Sequence, residues 1–199
     1  MKRRGMLAGV LAVAGCGLSE RPYEQKRVWP LIARRPQALA ANPRGPVLLV
    51  RALQIGPGLE TRGLRSLRAD GSVRSEFYET WATLPAQGVE AALRDWLAAS
   101  GQYSAVLAPG SRMTADYALE ATLTEFIADP PHRMARAAMT LVVLEDRGAT
   151  TRVRAQHALS ADATLAADDA PAIVQALRMA LARLLTDVEQ TLAGLARPA

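Results

Sequence analysis

The most distinctive residue in this sequence for covalent chemistry is its single cysteine, Cys16. It follows a basic segment at residues 2–4 and a short apolar segment at residues 6–15, in the order typical of a secretory signal peptide. A helix of that apolar length would span about 15 Å, half the hydrocarbon core of a bilayer, which is too short for a stable transmembrane anchor. We therefore predict that residues 1–15 are a signal peptide, removed before Cys16.

The residues Val13, Ala14, Gly15 and Cys16 resemble the bacterial lipobox. Small residues before the cleaved bond fit a narrow protease subsite, and the thiol is the nucleophile that can carry a diacylglyceryl thioether. In this class the freed amine is usually acylated as well, and each buried methylene contributes about 0.8 kcal/mol to anchoring. We predict lipid attachment at Cys16. The alternative is a buried free cysteine at the end of a plain signal peptide or of an apolar helix.

Other residue types that could support catalysis or bind a metal form no local motif. His132 lies in a loop and His157 in a predicted strand, and neither has a cysteine or carboxylate at ligand spacing. The acidic pairs at 145–146 and 168–169 fall at a turn and at a helix start, where Asp stabilises free N–H groups. The sequence thus predicts no catalytic residue, metal or cofactor. A hydrolase built from carboxylates of distant segments stays open as an alternative.

The charge distribution argues against nucleic-acid binding. The chain has 24 Lys and Arg residues against 19 Asp and Glu residues, a net charge of +5. Three of the basic residues (Lys2, Arg3 and Arg4) lie in the predicted signal peptide; without them 21 face the same 19 acidic residues, so the net charge falls to +2. The other arginines form no basic patch interleaved with aromatic residues, which nucleic-acid binding requires.

The elements that would position these residues form one predicted α+β domain at 46–196. Strands are predicted at 46–55, 73–81, 103–107, 117–124, 137–144 and 151–159, with a hairpin turn at Asp70-Gly71. Helices are predicted at 85–99 and 168–195, the second with an apolar stripe of Ile173, Leu177, Leu181, Leu184, Val188 and Leu192. This pattern indicates an antiparallel-rich mixed sheet with two main helices packed on it.

Two segments offer candidate partner contacts. Residues 16–45, rich in Arg and Pro, are predicted as an extended tether, and Trp29 within it either contacts a partner or packs under a loop. In the second hairpin arm, alternation places Val73, Phe77 and Trp81 on one face and Arg74, Glu76, Tyr78 and Thr80 on the other. We predict that Trp81 lines the core. Arg74, Glu76 and Tyr78 are predicted contact residues, with plain solvated charge as the alternative.

Several segments together resemble the ABC-type transport auxiliary lipoprotein family, the group that includes the paraquat-inducible protein C type. They are the lipobox cysteine, the apolar first strand, residues 76–82 and 117–126, the two following strands and the long C-terminal helix. One segment departs from the family pattern: Tyr23 stands alone, amid prolines, where members often carry a Tyr-Tyr-x-Leu-like strand.

The resemblance implies a non-catalytic auxiliary role beside an ABC-type transporter of membrane lipids. Its partners would be an ATPase, a permease and an MCE-domain protein, and its role would support envelope integrity. Gly17 stands where Asp typically retains lipoproteins in the inner membrane, so similarity to that sorting rule implies anchoring at the periplasmic face of the outer membrane. Two alternatives stay open: a lipoprotein of lipopolysaccharide or secretin assembly, and a lipid-anchored hydrolase. Self-association as a homo-oligomer is also left open.

Overall fold

The computed structural model describes residues 24–146 and 150–195, so the predicted lipobox and Cys16 lie outside the described residues. The described ranges contain nine strands and two α-helices: β1 (Arg27–Trp29), β2 (Val47–Val50), β3 (Gln54–Ile55), β4 (Gly63–Leu67), β5 (Val73–Trp81), α1 (Pro85–Ala98), β6 (Ala105–Leu107), β7 (Tyr117–Asp129), β8 (Met134–Asp146), β9 (Thr151–Thr164) and α2 (Ala170–Leu195). The predicted α+β class, with a mixed sheet and two helices, is confirmed.

The sheet is organised around β7, which pairs with strands on both of its sides. On one side β7 pairs antiparallel with β8, which pairs antiparallel with β9. On the other side three short strands, β2, β3 and β4, lie in succession along β7, all parallel to it. Beyond these, β6 pairs with β2, β5 with β4, and β1 with β5. The long meander β7–β8–β9 is therefore continuous, whereas the opposite half of the sheet is assembled from short pieces.

Both helices contribute to one core with the sheet. All six residues of the predicted α2 stripe are at most 6% exposed. The Asp169 carboxylate accepts the backbone N–H of Ala172 at 2.8 Å and so satisfies one of the free donors at the start of α2. Helix α1 begins at Pro85, whose fixed φ suits a first helical position. The opposite sheet face carries half-buried and exposed residues, among them Thr140 and Ala158.

The predicted first strand at 46–55 is interrupted between β2 and β3. The interruption has a local cause: the backbone N–H of Leu53 donates to the Glu90 carboxylate of α1 at 3.0 Å instead of joining the ladder. Leu53 itself is 7% exposed, so the chain dips into the core at this point. The Glu90 side chain of α1 thus takes the place of a backbone partner from a neighbouring strand. The alternation of residues 46–55 does not predict this interruption.

The segment predicted as a tether joins the domain earlier than expected. Arg27–Trp29 forms β1 and pairs in parallel with the end of β5. Leu31 and Ala33 are buried in the core although they lie between prolines. Pro30 ends β1, but the prolines do not prevent Leu31 and Ala33 from packing individually into the core. The structure therefore differs from the expected tether from Arg27 onwards.

A carboxylate of α2 binds the segment after β1 to the helices. Glu189 accepts hydrogen bonds from the Arg35 guanidinium at 2.9 and 3.0 Å and from the indole N–H of Trp96 at 2.8 Å. Its backbone carbonyl accepts from the Gln102 amide at 3.2 Å. Burial, with the Glu189 charge nearby, raises the pKa of Tyr103 well above the usual range. This Glu189 cluster links three regions that are distant in sequence: the segment at Arg35, the end of α1 with the loop that follows it, and α2.

A buried carboxylate, Asp129, ends β7. Its side chain is 3% exposed, accepts His132 Nδ1 at 2.8 Å and the His132 backbone N–H at 3.3 Å, and lies 3.6 Å from the Arg136 guanidinium. Burial alone would raise the pKa of Asp129. The hydrogen bonds from His132 and the charge of Arg136 outweigh burial, so its pKa lies below the ordinary value.

Stability should therefore depend on pH through Asp129. Because the folded-state pKa is lowered, its contribution is present above the unfolded carboxyl pKa of about 3.9 and is lost as the pH falls below it. We expect Asp129→Asn to lower the free energy of unfolding at pH 7 and to lower it less at pH 3, as measured by urea unfolding. Asp162→Asn, at an exposed carboxylate, is the control. An equal deficit for Asp129→Asn at both pH values would contradict this role.

Candidate contact surface

Exposed apolar side chains gather where β1 meets the second arm of the β4–β5 hairpin. The β1–β5 surface, as we call it, consists of Lys26, Val28, Phe77 and Tyr78. Phe77 is 71% exposed and Val28 is 58% exposed, and the rings of Phe77 and Tyr78 meet edge to face with centroids 5.0 Å apart. The Lys26 ammonium lies 5.1 Å from the centre of the Phe77 ring. Clustered exposed aromatics flanked by a cation are typical of a protein contact.

Trp29, predicted as a contact residue, is held against the domain. Its indole N–H donates to the Glu79 carboxylate at 2.6 Å, and Arg27 donates to the other oxygen of the same carboxylate at 2.5 Å. The ring is half-buried and packs on the core. Glu79 thereby joins β1 to β5 through side chains as well as through the backbone. Trp29 therefore contributes to this junction.

Arg74 and Glu76, the other predicted contact residues, form an ion pair with each other. They lie two positions apart on β5, so their side chains share one face of the strand. Both stay accessible, with side chains 50% and 25% exposed, and Tyr78 follows on the same face at 39% exposed. The structure thus brings Arg74, Glu76 and Tyr78 together, and it places Trp29 at the next strand.

Phe77 is the contact candidate that sequence reasoning missed. Alternation places it on the same face as Trp81, and Trp81 is 2% exposed and packs against Phe126, as predicted. Other residues cover this face of β5 at Trp81 but not at Phe77, which is 71% exposed. The signal available in the sequence was the pair of neighbouring aromatic residues, Phe77 and Tyr78. Alternation along a strand predicts which face of the sheet a side chain lies on, but it does not predict whether other residues cover that face.

The candidate catalytic groups lie apart from this surface. His132 is engaged by Asp129, and His157 is a half-buried strand residue, as predicted. In residues 24–146 and 150–195 no group of three or more His, Cys, Asp or Glu side chains could hold a metal ion. Among the described helices, none is long and apolar enough to cross a bilayer.

The fold is that of a small α+β protein in which two helices pack on a mixed sheet. The sequence matches the family model of the ABC-type transport auxiliary lipoprotein component over residues 31–189. The chain therefore belongs to this family, as the sequence resemblance indicated. No protein of curated function matches the sequence.

Solved structures share the fold at low sequence identity. Protein XCC0632 from Xanthomonas campestris superposes with a TM-score of 0.73 at 17% identity, covering 85% of this chain and 97% of that protein. An uncharacterised protein gives a TM-score of 0.66 at 14% identity, with 85% and 99% covered. The hypothetical protein CT253 from Chlamydia trachomatis gives 0.55 at 11% identity, with 75% and 96% covered. These similarities concern the fold alone.

Proposed function

We propose that this chain is a periplasmic lipoprotein, held at the outer membrane by lipid on Cys16, that assists an ABC-type lipid transporter with an MCE-domain substrate carrier. The observation that carries the proposal is the family match over residues 31–189, which makes the chain an auxiliary transport component. The motif ending in Cys16 supports the lipid anchor, and Gly17 supports the outer membrane. In such a system the ATPase supplies the energy, and the auxiliary chain needs only an anchor and a contact surface.

The contact with the MCE-domain protein is proposed at the β1–β5 surface and the adjoining face of Arg74, Glu76 and Tyr78. Exposed aromatic side chains provide large contact area with few rotatable bonds, and they dominate binding energies at protein interfaces. The Arg74–Glu76 ion pair lies beside them, where it would border the contact and influence which partner binds. We propose that the chain supports envelope integrity through this contact, because it would connect the outer membrane, through its lipid anchor, to the MCE-domain protein.

Replacement of Phe77 by Ser is expected to reduce co-purification of the MCE-domain protein in mild detergent by about tenfold or more, since a central aromatic contributes about 2 kcal/mol or more to binding. The matched control is Met113→Ser, which alters another exposed apolar residue, at 60% exposure, outside the surface. Equal recovery with both variants would contradict the proposed surface. Recovery of no envelope partner by crosslinking, together with turnover of an ester or glycan substrate, would contradict the proposed function.

The Arg74–Glu76 pair allows a second, independent readout. Arg74→Glu combined with Glu76→Arg keeps an ion pair on the strand but exchanges the positions of the charges. A partner that reads those charges should bind the exchanged variant several-fold more weakly, most clearly at low salt. If the pair only stabilises the strand, the double variant should bind normally and melt like the parent.

A further inference from the structure

The segment that follows β1, residues 31–39, lies beside helix α1 and forms a groove with it. Both ends of the segment contact this helix region. The Leu31 side chain lies so close to Gly88 that a Cβ there would come 3.0 Å from the Cβ of Leu31, and the backbone N–H of Leu39 donates to the Ala99 carbonyl at 2.9 Å. Between these contacts the groove has a volume of about 470 Å³. The groove is therefore part of the fold, because its two walls are held together at both ends.

The side chains that line the groove are mostly apolar. Eight of the eleven lining residues are apolar, and five of these eight are alanines. Two polar groups of the lining, the Arg35 guanidinium and the Trp96 indole N–H, already donate to the Glu189 carboxylate. Binding sites for small molecules typically have volumes of about 300–1,000 Å³ and apolar walls with few polar groups. The volume and the lining of this groove therefore suit a ligand with a long apolar part.

Two further lining residues carry opposite charges, one on each wall. Arg34 belongs to the segment after β1 and Asp95 to α1, and both are exposed. Within the described residues, neither side chain forms a hydrogen bond or an ion pair. A guanidinium binds phosphate strongly, and a carboxylate accepts hydrogen bonds from an ammonium group. The two side chains therefore complement a head group that carries both a phosphate and an ammonium group.

We propose that this groove binds one acyl chain of a zwitterionic phospholipid, with the phosphate at Arg34 and the ammonium group at Asp95. The inference rests on the proposed function for the source of the lipid, and it adds a lipid site to the anchor and the contact surface. The proposed anchor would keep the groove near a bilayer. Glu24, the first described residue, lies eight positions after Cys16, and a chain of that length spans at most about 28 Å.

Photolabelling tests the inference on the full lipidated chain, in vesicles of phosphatidylethanolamine and phosphatidylglycerol. The probe is a trace of phosphatidylethanolamine that carries a diazirine in one acyl chain. After irradiation, mass spectrometry of peptides should find the probe on groove residues, between 31 and 38 and between 91 and 99. A chain without label on either of these ranges would overturn the inference.

Larger side chains in the groove should prevent labelling. Ala91→Leu and Ala99→Leu each occupy space in the lining, and displacing two acyl methylenes should reduce labelling by about tenfold. The control is Ala98→Leu, at an exposed residue of the same helix outside the lining, which should be labelled like the parent. Both groove variants should melt no lower than the parent, since they remove no core contact. Parental labelling of either groove variant would overturn the inference.

The head group is tested through its charges. Arg34→Glu places a carboxylate beside the phosphate, so it should lower labelling by the same probe several-fold. Arg44→Glu makes the same change in net charge at an exposed arginine outside the lining, and it should leave labelling unchanged. A phosphatidylglycerol probe with the same acyl chain lacks the ammonium group and should label the parent several-fold less. Equal labelling by the two probes, or of the parent and Arg34→Glu, would overturn the head-group assignment.

The outcomes are distinguishable from those that test the proposed function. A parent without label on the groove, but with the MCE-domain protein still co-purifying through Phe77, would overturn the lipid site and leave the proposed function in place. Groove label that Ala91→Leu removes, with no envelope partner recovered by crosslinking, would support the lipid site and contradict the proposed function.

Discussion

Substitution of Cys16 by Ser is expected to abolish lipid attachment completely. Serine has no thiol, so no diacylglyceryl thioether forms; because cleavage follows lipid transfer in this pathway, the signal peptide should also stay on the chain. Without acyl chains the protein loses about 0.8 kcal/mol of membrane anchoring for each methylene that would have been buried. Metabolic labelling with a radioactive fatty acid measures the outcome, and incorporation should fall to background.

The matched control for this experiment is Gly17→Asp, which leaves the thiol intact. It should incorporate label like the parent, and by the sorting argument it should fractionate with the inner membrane rather than the outer. Label retained by Cys16→Ser would contradict the lipobox assignment. If Gly17→Asp incorporates label but still fractionates like the parent, the lipid anchor is supported and the proposed outer-membrane sorting is contradicted.

Truncation of the α2 core stripe is expected to be the most destabilising change within the domain. Leu181 and Leu184 are both 0% exposed, and each packs in the cluster that joins α2 to the sheet. Replacing either by Ala removes buried methyl groups and leaves a cavity, at a cost of about 2–5 kcal/mol in the free energy of unfolding. Urea or thermal unfolding of the two variants provides the measurement.

Gln190→Ala is the appropriate comparison, because residue 190 lies on the same helix but is exposed. Its effect should stay within about 0.5 kcal/mol of the parent. Melting curves of Leu181→Ala and Leu184→Ala that coincide with those of Gln190→Ala would mean that α2 contributes little to the core, contrary to the packing described above.

Helices and strands whose apolar residues recur at regular spacing could be predicted from the sequence. The α2 stripe is an example, since residues such as Leu177 and Leu184 recur at helical spacing and all meet the same sheet. The β7–β8 meander is another, because Asp129-Pro130-Pro131 marks its break. β1 could not be predicted in this way: its three residues carry no periodic signal, and they are ordered by strand partners about fifty positions later in the chain.

The candidate site was predicted only in part, for the same physical reason. Arg74, Glu76 and Tyr78 share a face because alternation is a local property of β5. By contrast, the exposure of Phe77 and the hydrogen bond from Trp29 to Glu79 depend on where other segments of the chain pack against β5. The sequence of β5 alone does not contain that information. The Glu189 cluster was not predicted at all, because Arg35 and Glu189 meet across 154 positions of sequence.

The Glu189 cluster and β1 together determine how the domain bears mechanical load. If Cys16 carries lipid, as proposed, a force between the membrane and the folded domain would reach β1 from its N-terminal side. β1 runs parallel to β5, so a pull along β1 loads its backbone hydrogen bonds in shear, together rather than one at a time. If they yield, the next resistance comes from Arg178 of α2, which donates to the Pro30 carbonyl at 3.1 Å, and from Leu31 and Ala33 in the core. The hydrogen bonds from Arg35 to Glu189 follow and again transfer tension to α2. The segment that follows β1 is thus coupled to α2, whereas the short strands β2, β3 and β6 lie outside this path.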